Sequence, residues 1–270
     1  MKPIRLAIAG LGAIGLNVAR KIDAEAVPGV RLTAVSARDT AKAERNIAAF
    51  RAVPKIVPVA QLADEADVVV ECVPAAHFLE TAEPVLRKGR IFMPLSVGAM
   101  LDHMHLVDIA RETGAQIVVP SGAILGLDAV RAVAEGNVES VRLVTRKPPK
   151  GLVGAPLLVE KGLSVEGLTE PLLVFSGSAR EAAKGFPANL NVSVALSLAG
   201  IGPDRTIVEL WADPAVTRNT HTIHVKSDTS NLTMTIENLP EPDNPRTGMI
   251  TSLSVIAALR RLASPLVVGT

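Results

Sequence analysis

The run Gly10-Leu11-Gly12-Ala13-Ile14-Gly15 constrains this chain more than any other segment. It comes after Ile4-Arg5-Leu6-Ala7-Ile8-Ala9, which reads as a buried strand, and Leu16 to Ile22 continue with helical spacing. A G-x-G-x-x-G between a strand and a helix points to a dinucleotide site. Gly10 permits the tight turn, Gly12 lets the backbone approach a pyrophosphate, and Gly15 lets the helix pack closely on the strand. The helix start offers free N–H groups and a positive dipole end to phosphates, so Ala13 and Ile14 join the glycines as expected cofactor contacts. The competing reading is a glycine-rich turn that binds no cofactor.

The rest of the N-terminal half supports the first reading. Val30–Ser36, Asp67–Cys72, Arg90–Pro94 and Ala115–Val119 read as strands. Helices are expected from Asp39 or Thr40 to Phe50, from Ala75 to Lys88 and from Leu101 to Thr113, the last two closed by Gly89 and Gly114. Asp67-Val68-Val69-Val70-Glu71-Cys72 is a continuous apolar run with polar ends, as in a parallel strand covered on both faces. Strand and helix in alternation mean βαβ units and a Rossmann-type, doubly wound parallel sheet. The pattern changes at Ser121. Val138–Thr145, Thr206–Ala212, Asn219–Lys226 and Asn231–Glu237 alternate with period two, with helices at Ala179–Lys184 and Ala188–Leu198. This predicts an α+β domain on a mostly antiparallel sheet. Glu241–Pro245 reads as a turn and Arg246–Leu262 as a long helix. The expected organisation is a dinucleotide-binding domain over 1–120, a substrate, catalytic and dimerisation domain over 121–245, and a C-terminal helix, 246–270, returning to the first domain.

Composition narrows the partners. Net charge is +1, which argues against nucleic acid. Aromatic residues are 2% of the chain and Tyr is absent, which leaves few base-stacking platforms. Apolar stretches are short and interrupted, so no membrane span is expected. The single cysteine, Cys72, excludes an internal disulfide and fits a cytoplasmic protein.

Ligands of open α/β sheets lie beyond the carboxyl ends of the strands. An acid at the end of the second strand would hold the ribose 2′-hydroxyl of NAD and repel the 2′-phosphate of NADP. Here Ser36 stands in that place, and Arg38 offers a fork for a 2′-phosphate. The alternative makes Arg38 a solvated charge and Asp39 a helix cap, so both cofactors are expected to serve. The loop Glu71-Cys72-Val73-Pro74 should pass near the nicotinamide ribose, with Cys72 as a small packing residue lacking a basic neighbour. Pro120-Ser121-Gly122-Ala123-Ile124 has residues small enough for a ligand to approach the backbone. On Asn219–His224, period two puts Asn219, His221 and Ile223 on one face. An imidazole beside an amide there is a candidate acid/base pair. His77, His103 and His105 read as surface or helix-packing residues, and no metal site is expected.

Several segments together carry more than a class. Besides the glycine motif they are Pro120–Ile124, Thr145-Arg146-Lys147-Pro148-Pro149, Phe186-Pro187-Ala188-Asn189-Leu190-Asn191-Val192, Ala212-Asp213-Pro214, Asn219-Thr220-His221 and Asp243-Asn244-Pro245-Arg246-Thr247. In this order, over essentially the whole chain, they resemble the L-aspartate dehydrogenase family. The resemblance implies NAD(P)-dependent oxidative deamination of L-aspartate. The product iminoaspartate either hydrolyses to oxaloacetate and ammonia or feeds quinolinate and NAD biosynthesis. It also implies His221 as the catalytic histidine and Ala123 and Asn189 as cofactor contacts. Ser121, Lys147, Asn219 and Thr247 are expected on the substrate side, Lys147 either as positive charge for a dicarboxylate or as a solvated loop lysine. Two departures stand out: Ser227-Asp228-Thr229-Ser230 replaces a Gly-Phe-rich turn, and Gly248 stands where a serine is usual. A homodimer pairing through the second sheet is expected. The alternatives are a dihydrodipicolinate-reductase-like or homoserine-dehydrogenase-like oxidoreductase, or a dinucleotide-binding sensor without turnover.

Overall fold

The computed structural model of the chain describes residues 2–186, 190–241 and 244–269, with 244–247 described by their backbone alone. The chain divides into two compact units. One comprises residues 1–120 with 252–267, the other residues 121–251 with 268–270.

In the first unit the elements are β1 (Ile4–Ala9), α1 (Ala13–Asp23), β2 (Val30–Ser36), α2 (Thr40–Ile47), β3 (Lys55–Ile56), α3 (Leu62–Glu65), β4 (Val68–Glu71), α4 (Phe78–Arg87), β5 (Ile91–Pro94), α5 (His105–Thr113) and β6 (Gln116–Ile117). The six strands pair in the order β3-β2-β1-β4-β5-β6, every pair parallel. That order reverses direction between β1 and β4, where a doubly wound sheet opens its ligand crevice. Both faces are covered, which is why β1 and β4 are nearly all apolar. Leu6, Ile8, Val68 and Val70 pack with α1 on one side, and Ala7, Ala9 and Val69 pack with α4 on the other. Arg5 clasps Asp67 with two guanidinium bonds of 3.2 and 2.6 Å, tying the entrance of β1 to that of β4.

The second unit contains α6 (Leu127–Ala134), β7 (Val138–Lys147), α7 (Pro156–Glu160), β8 (Leu172–Ser178), α8 (Ala179–Gly185), α9 (Asn191–Ala199), β9 (Thr206–Ala212), β10 (Asn219–Ser227), β11 (Asn231–Asn238), β12 (Pro240–Glu241) and β13 (Asn244–Gly248). Its main sheet runs β11-β10-β7-β9-β8 and is mixed: β7 and β9 are parallel, the other pairs antiparallel. One face packs on the helices. Val141, Leu143, Val208, Leu210, Ile223 and Val225 meet Ala182, Phe186 and Leu196. The other face carries Arg142, Thr222, His224 and Glu209.

Three sequence expectations need correction. The helix expected from Arg246 starts later: 244–248 form β13, paired antiparallel with β12, and the last helix, α10, spans Ile250–Ala263, while residues 242–243 of the expected turn lie outside the described residues. Pro245 and Gly248 are poor helix residues, and the helical spacing belongs only to the residues beyond them. The strand expected to stop at Thr145 runs two residues further, to Lys147. Finally, Ala188–Leu198 begins as a helix only at Asn191, with residues 187–189 outside the described part. On α10, Val255, Ile256 and Leu259 join the core of the first unit, and the Arg260 guanidinium donates to the Ala26 carbonyl.

Candidate functional site

The first unit holds a crevice of about 660 Å³ at the carboxyl ends of β1, β2 and β4. Of the expected cofactor residues it is lined by Gly10, Gly12, Ser36, Arg38, Cys72 and Val73. Each glycine meets a different constraint. Gly10 has φ +92°, and a Cβ there would lie 2.7 Å from the Cys72 carbonyl oxygen. A Cβ on Gly15 would lie 2.0 Å from the Gly10 carbonyl oxygen, so this glycine serves packing within the unit. Gly12 has nothing within 4 Å of its Cβ position, so its bare backbone faces open space. It also caps α1 without any side-chain bond, and the first turn holds no acidic residue. The leading N–H groups of α1 are therefore left for an anion. These residues fit a dinucleotide pyrophosphate. Ala13 and Ile14 are not among the crevice side chains; Ile14 packs against the core.

At the end of β2, Asp39 is the N-cap of α2, its carboxylate accepting from the Lys42 amide at 2.9 Å. Arg38 and Lys42 line the crevice beside Ser36. The Cys72 thiol is pushed well above its ordinary pKa by burial and by the neighbouring Glu71 charge, which makes it a poor nucleophile.

Sequence reasoning passed over Glu71. It is fully buried at the end of β4, and its carboxylate accepts from the amides of Val73 (2.9 Å), Ser96 (2.9 Å) and Leu95 (3.2 Å) and from the Ser96 hydroxyl (3.1 Å). Burial raises its pKa against the pull of these bonds. One side chain thus fixes both the Cys72–Pro74 loop and the loop after β5. The polar end of the apolar run was the available signal.

The second unit holds a buried polar patch on the helix-covered face of its sheet. β10 alternates so that Asn219, His221, Ile223 and Val225 point inward. His221 is 2% exposed and stands opposite Thr145 of β7. The Thr145 hydroxyl lies 3.0 Å from His221 Nδ1, which fixes the ring and leaves Nε2 for a ligand. Lys147, 3% exposed, is the next residue on that face of β7, so the solvated-loop reading of this lysine is wrong: the longer strand carries it inside. Burial lowers its pKa to about 8. Burial first, and the Lys147 charge second, lower that of His221 to about 3, so the imidazole is neutral at neutral pH. Asn219 is also buried, paired across the strands with Asn238.

Asn238 had no sequence signal of its own, and Thr145 none beyond its place in the Thr145–Pro149 segment. The Asn238 side-chain amide donates to the Ala123 carbonyl at 2.7 Å, holding the segment after Pro120 against β11. Gly248 makes room for this, since a Cβ there would come 3.2 Å from Asn238 Cβ and 3.5 Å from Ala123 Cβ. The other departure, Ser227–Ser230, is a turn in which Ser227 Oγ accepts from the Thr229 and Ser230 amides. It lies six residues along β10 from His221, about 20 Å away at the strand rise. Ser121 begins this unit and its carbonyl accepts from the Ile124 amide. Asn189 lies outside the described residues, as does the Thr247 side chain. His77 is exposed beside Glu80, and His103 stacks on Phe78. Among the described residues no three His, Cys, Asp or Glu side chains cluster as a metal site would need, and no helix is long and apolar enough to cross a membrane.

Known proteins match both units. Residues 128–262 match the family model for the C-terminal part of aspartate dehydrogenase, and residues 10–120 match that for the NAD-binding domain of homoserine dehydrogenase. An L-aspartate dehydrogenase of Bordetella bronchiseptica is 56% identical over 265 residues, covering 98% of this chain and 97% of the relative. One of Bradyrhizobium diazoefficiens is 51% identical over 267 residues, covering 99% and 94%. Among solved structures, the aspartate dehydrogenase of Thermotoga maritima superposes with a TM-score of 0.72 at 27% identity, covering 98% of this chain and 99% of that one. A homoserine dehydrogenase from Thiobacillus denitrificans, at 14% identity and TM-score 0.64, shares the fold. With its glycine-built crevice, its buried histidine patch and this full-length similarity, the chain belongs to the L-aspartate dehydrogenase family.

Proposed function

We propose that this chain oxidises L-aspartate: L-aspartate, NAD(P)⁺ and water give oxaloacetate, ammonium, NAD(P)H and a proton. The observation that carries the reading is the patch of Asn219, His221, Thr145 and Lys147 on a face whose centre is built of Val, Leu and Ile. Four polar side chains without chemistry to do would only cost stability there. A bound nicotinamide dinucleotide supplies the hydride acceptor. His221, oriented by Thr145 through Nδ1, presents Nε2 to the substrate nitrogen and takes the proton of its ammonium group. Once that proton has passed to solvent, the same nitrogen directs water onto the imine carbon. Ser121, Asn219 and Thr247 hold the carboxylates, and Lys147 gives the patch its positive charge.

On the cofactor side, Gly10, Gly12 and the α1 N-terminus hold the pyrophosphate, with Cys72 and Val73 toward the nicotinamide ribose; the family resemblance supports Ala123 and Asn189 as further cofactor contacts. Asp39 is engaged as a helix cap and Arg38 lines the crevice, which supports use of both NAD and NADP. The product iminoaspartate hydrolyses or is taken up in quinolinate and NAD biosynthesis, in the cytoplasm. Two copies pair through the open sheet face, where Leu173 and Ile207 are each 41% exposed, so light scattering at micromolar concentration should give a dimer mass.

The activity is tested by the absorbance of the reduced nicotinamide with L-aspartate, D-aspartate, L-glutamate and L-homoserine, with NAD and NADP in turn. Turnover confined to L-aspartate supports the reading. Turnover with L-homoserine instead would move it to the homoserine-dehydrogenase-like alternative, and cofactor binding without any turnover to a sensor.

A further inference from the structure

Glu71 is a buried ionisable group that the proposed reaction leaves unused. It closes β4, where another apolar residue would continue Val68-Val69-Val70 without the penalty of burying a carboxyl group. Both of its oxygens are filled by uncharged donors from two loops. Oε1 accepts from the Val73 amide at 2.9 Å and from the Ser96 hydroxyl at 3.1 Å. Oε2 accepts from the Ser96 amide at 2.9 Å and from the Leu95 amide at 3.2 Å. Ser96 Oγ also lies 3.0 Å from the Val73 carbonyl, so Val73 is gripped at its amide and at its carbonyl.

Val73 lines the dinucleotide crevice with Cys72 and Pro74, whereas Glu71 and Ser96 lie behind that wall. The wall is tied to β1 as well. The Cys72 amide donates to the Ala9 carbonyl at 2.8 Å, and the Cys72 carbonyl is what a Cβ on Gly10 would strike. β2 and β4 flank β1, so the two halves of a dinucleotide part to either side of the glycine turn. The end of β2, with Ser36 and Arg38, is where the adenosine ribose is read, which leaves the β4 side for the nicotinamide half. Resting on the dinucleotide reading of this crevice, we propose that Glu71 is a positioning residue for the nicotinamide half: it sets the place of Val73 in the crevice wall, and through it the place of the ring, without touching the cofactor.

The bond pattern makes this role separable from the folding of the loops. In Glu71→Gln the side-chain oxygen fits best at the Oε2 place, between the Leu95 and Ser96 amides, and the NH₂ group takes the Oε1 place. There it can donate to Ser96 Oγ, but it meets the Val73 amide donor to donor. The substitution therefore frees Val73 while the loop after β5 keeps its bonds. Ser96→Ala acts from the other side. It removes the hydroxyl that reaches both Glu71 and Val73, and leaves the carboxylate its amide donors at Val73, Leu95 and Ser96.

The test uses the full chain as wild type, Glu71→Gln and Ser96→Ala, with NADH and ADP-ribose as probes. NADH fills both halves of the crevice, and ADP-ribose lacks the nicotinamide ring. Calorimetry gives the dissociation constants. In Glu71→Gln, NADH should bind about tenfold more weakly while ADP-ribose stays within a factor of about two of wild type. Ser96→Ala should weaken NADH in the same selective way by about threefold, and it keeps the proposal testable if Glu71→Gln fails to fold. Equal weakening of both probes, or of neither, would overturn the proposal, because Glu71 would then only staple two loops together. Wild-type protein that binds neither probe would overturn the dinucleotide reading of the crevice and this proposal with it. Neither probe carries the substrate, so failure of the L-aspartate reading would show in turnover and leave these affinities as they are.

Discussion

The two units treat polar groups in opposite ways. The crevice of the first is built of backbone: Gly10, Gly12 and the uncapped start of α1 offer N–H groups, and what matters at Gly12 is the side chain that is missing. The patch of the second is built of side chains, His221, Thr145, Lys147 and Asn219, each buried in an apolar sheet face. A backbone site recognises a phosphate chain shared by many substrates' cofactors. A side-chain site is costly to bury and specific to one chemistry. The matches divide in the same way, since the first unit matches a domain model described for homoserine dehydrogenase while the second matches one described for aspartate dehydrogenase.

The glycines separate packing from binding. Gly15→Ala should cost about 3 kcal/mol of stability, because the added carbon meets backbone at 2.0 Å, and chemical denaturation should show it. A Gly15→Ala protein as stable as wild type would mean the crevice is looser than described. Gly12→Ala should leave the unfolding midpoint where it is, since its Cβ meets nothing, yet weaken dinucleotide affinity about tenfold or more as the methyl group stands where the pyrophosphate approaches. Binding measured by calorimetry checks this, and an unchanged affinity would move the phosphates elsewhere.

On the other side of the comparison, Thr145→Val removes the partner of His221 Nδ1 while keeping the shape. A lost hydrogen bond of about 1–2 kcal/mol should lower kcat roughly tenfold with dinucleotide affinity unchanged. Arg38→Ala should raise KM for NADP by about tenfold and leave that for NAD nearly alone; equal effects on both would make Arg38 a surface charge. A further check on the buried imidazole is acid stability. The folded pKa of His221 is depressed below its ordinary value, so the unfolded chain binds a proton more readily. Stability should fall as pH drops from about 6.5 toward 3, and His221→Gln should lessen that slope in denaturant titrations.

How much of this the sequence disclosed depends on where each residue's constraint lies. Strands of the first unit are buried on both faces and punctuated by Gly and Pro, so their composition betrays them, as at Val68–Glu71. β8 escaped because Leu172–Ser178 is an edge strand, half exposed and ending in Ser-Gly-Ser. The pairing of β12 with β13 escaped because it is only a few residues long. Asn219 and His221 could be placed on one face from period two alone. Thr145 and Asn238 could not, because a partner across a sheet becomes visible only once the register between strands is known. Lys147 was left ambiguous for a similar reason: whether a lysine after a strand is solvated or buried turns on where the strand ends, here two residues later than the alternation suggested.

The central claim is that the second unit performs the chemistry and the first only holds the cofactor. The measurement that tests it most directly compares wild type and His221→Ala for both L-aspartate turnover and dinucleotide affinity. Turnover should fall by about 10²–10⁴ while affinity stays within a factor of two or so. Turnover that survives the substitution, or that falls only in step with cofactor binding, would contradict it.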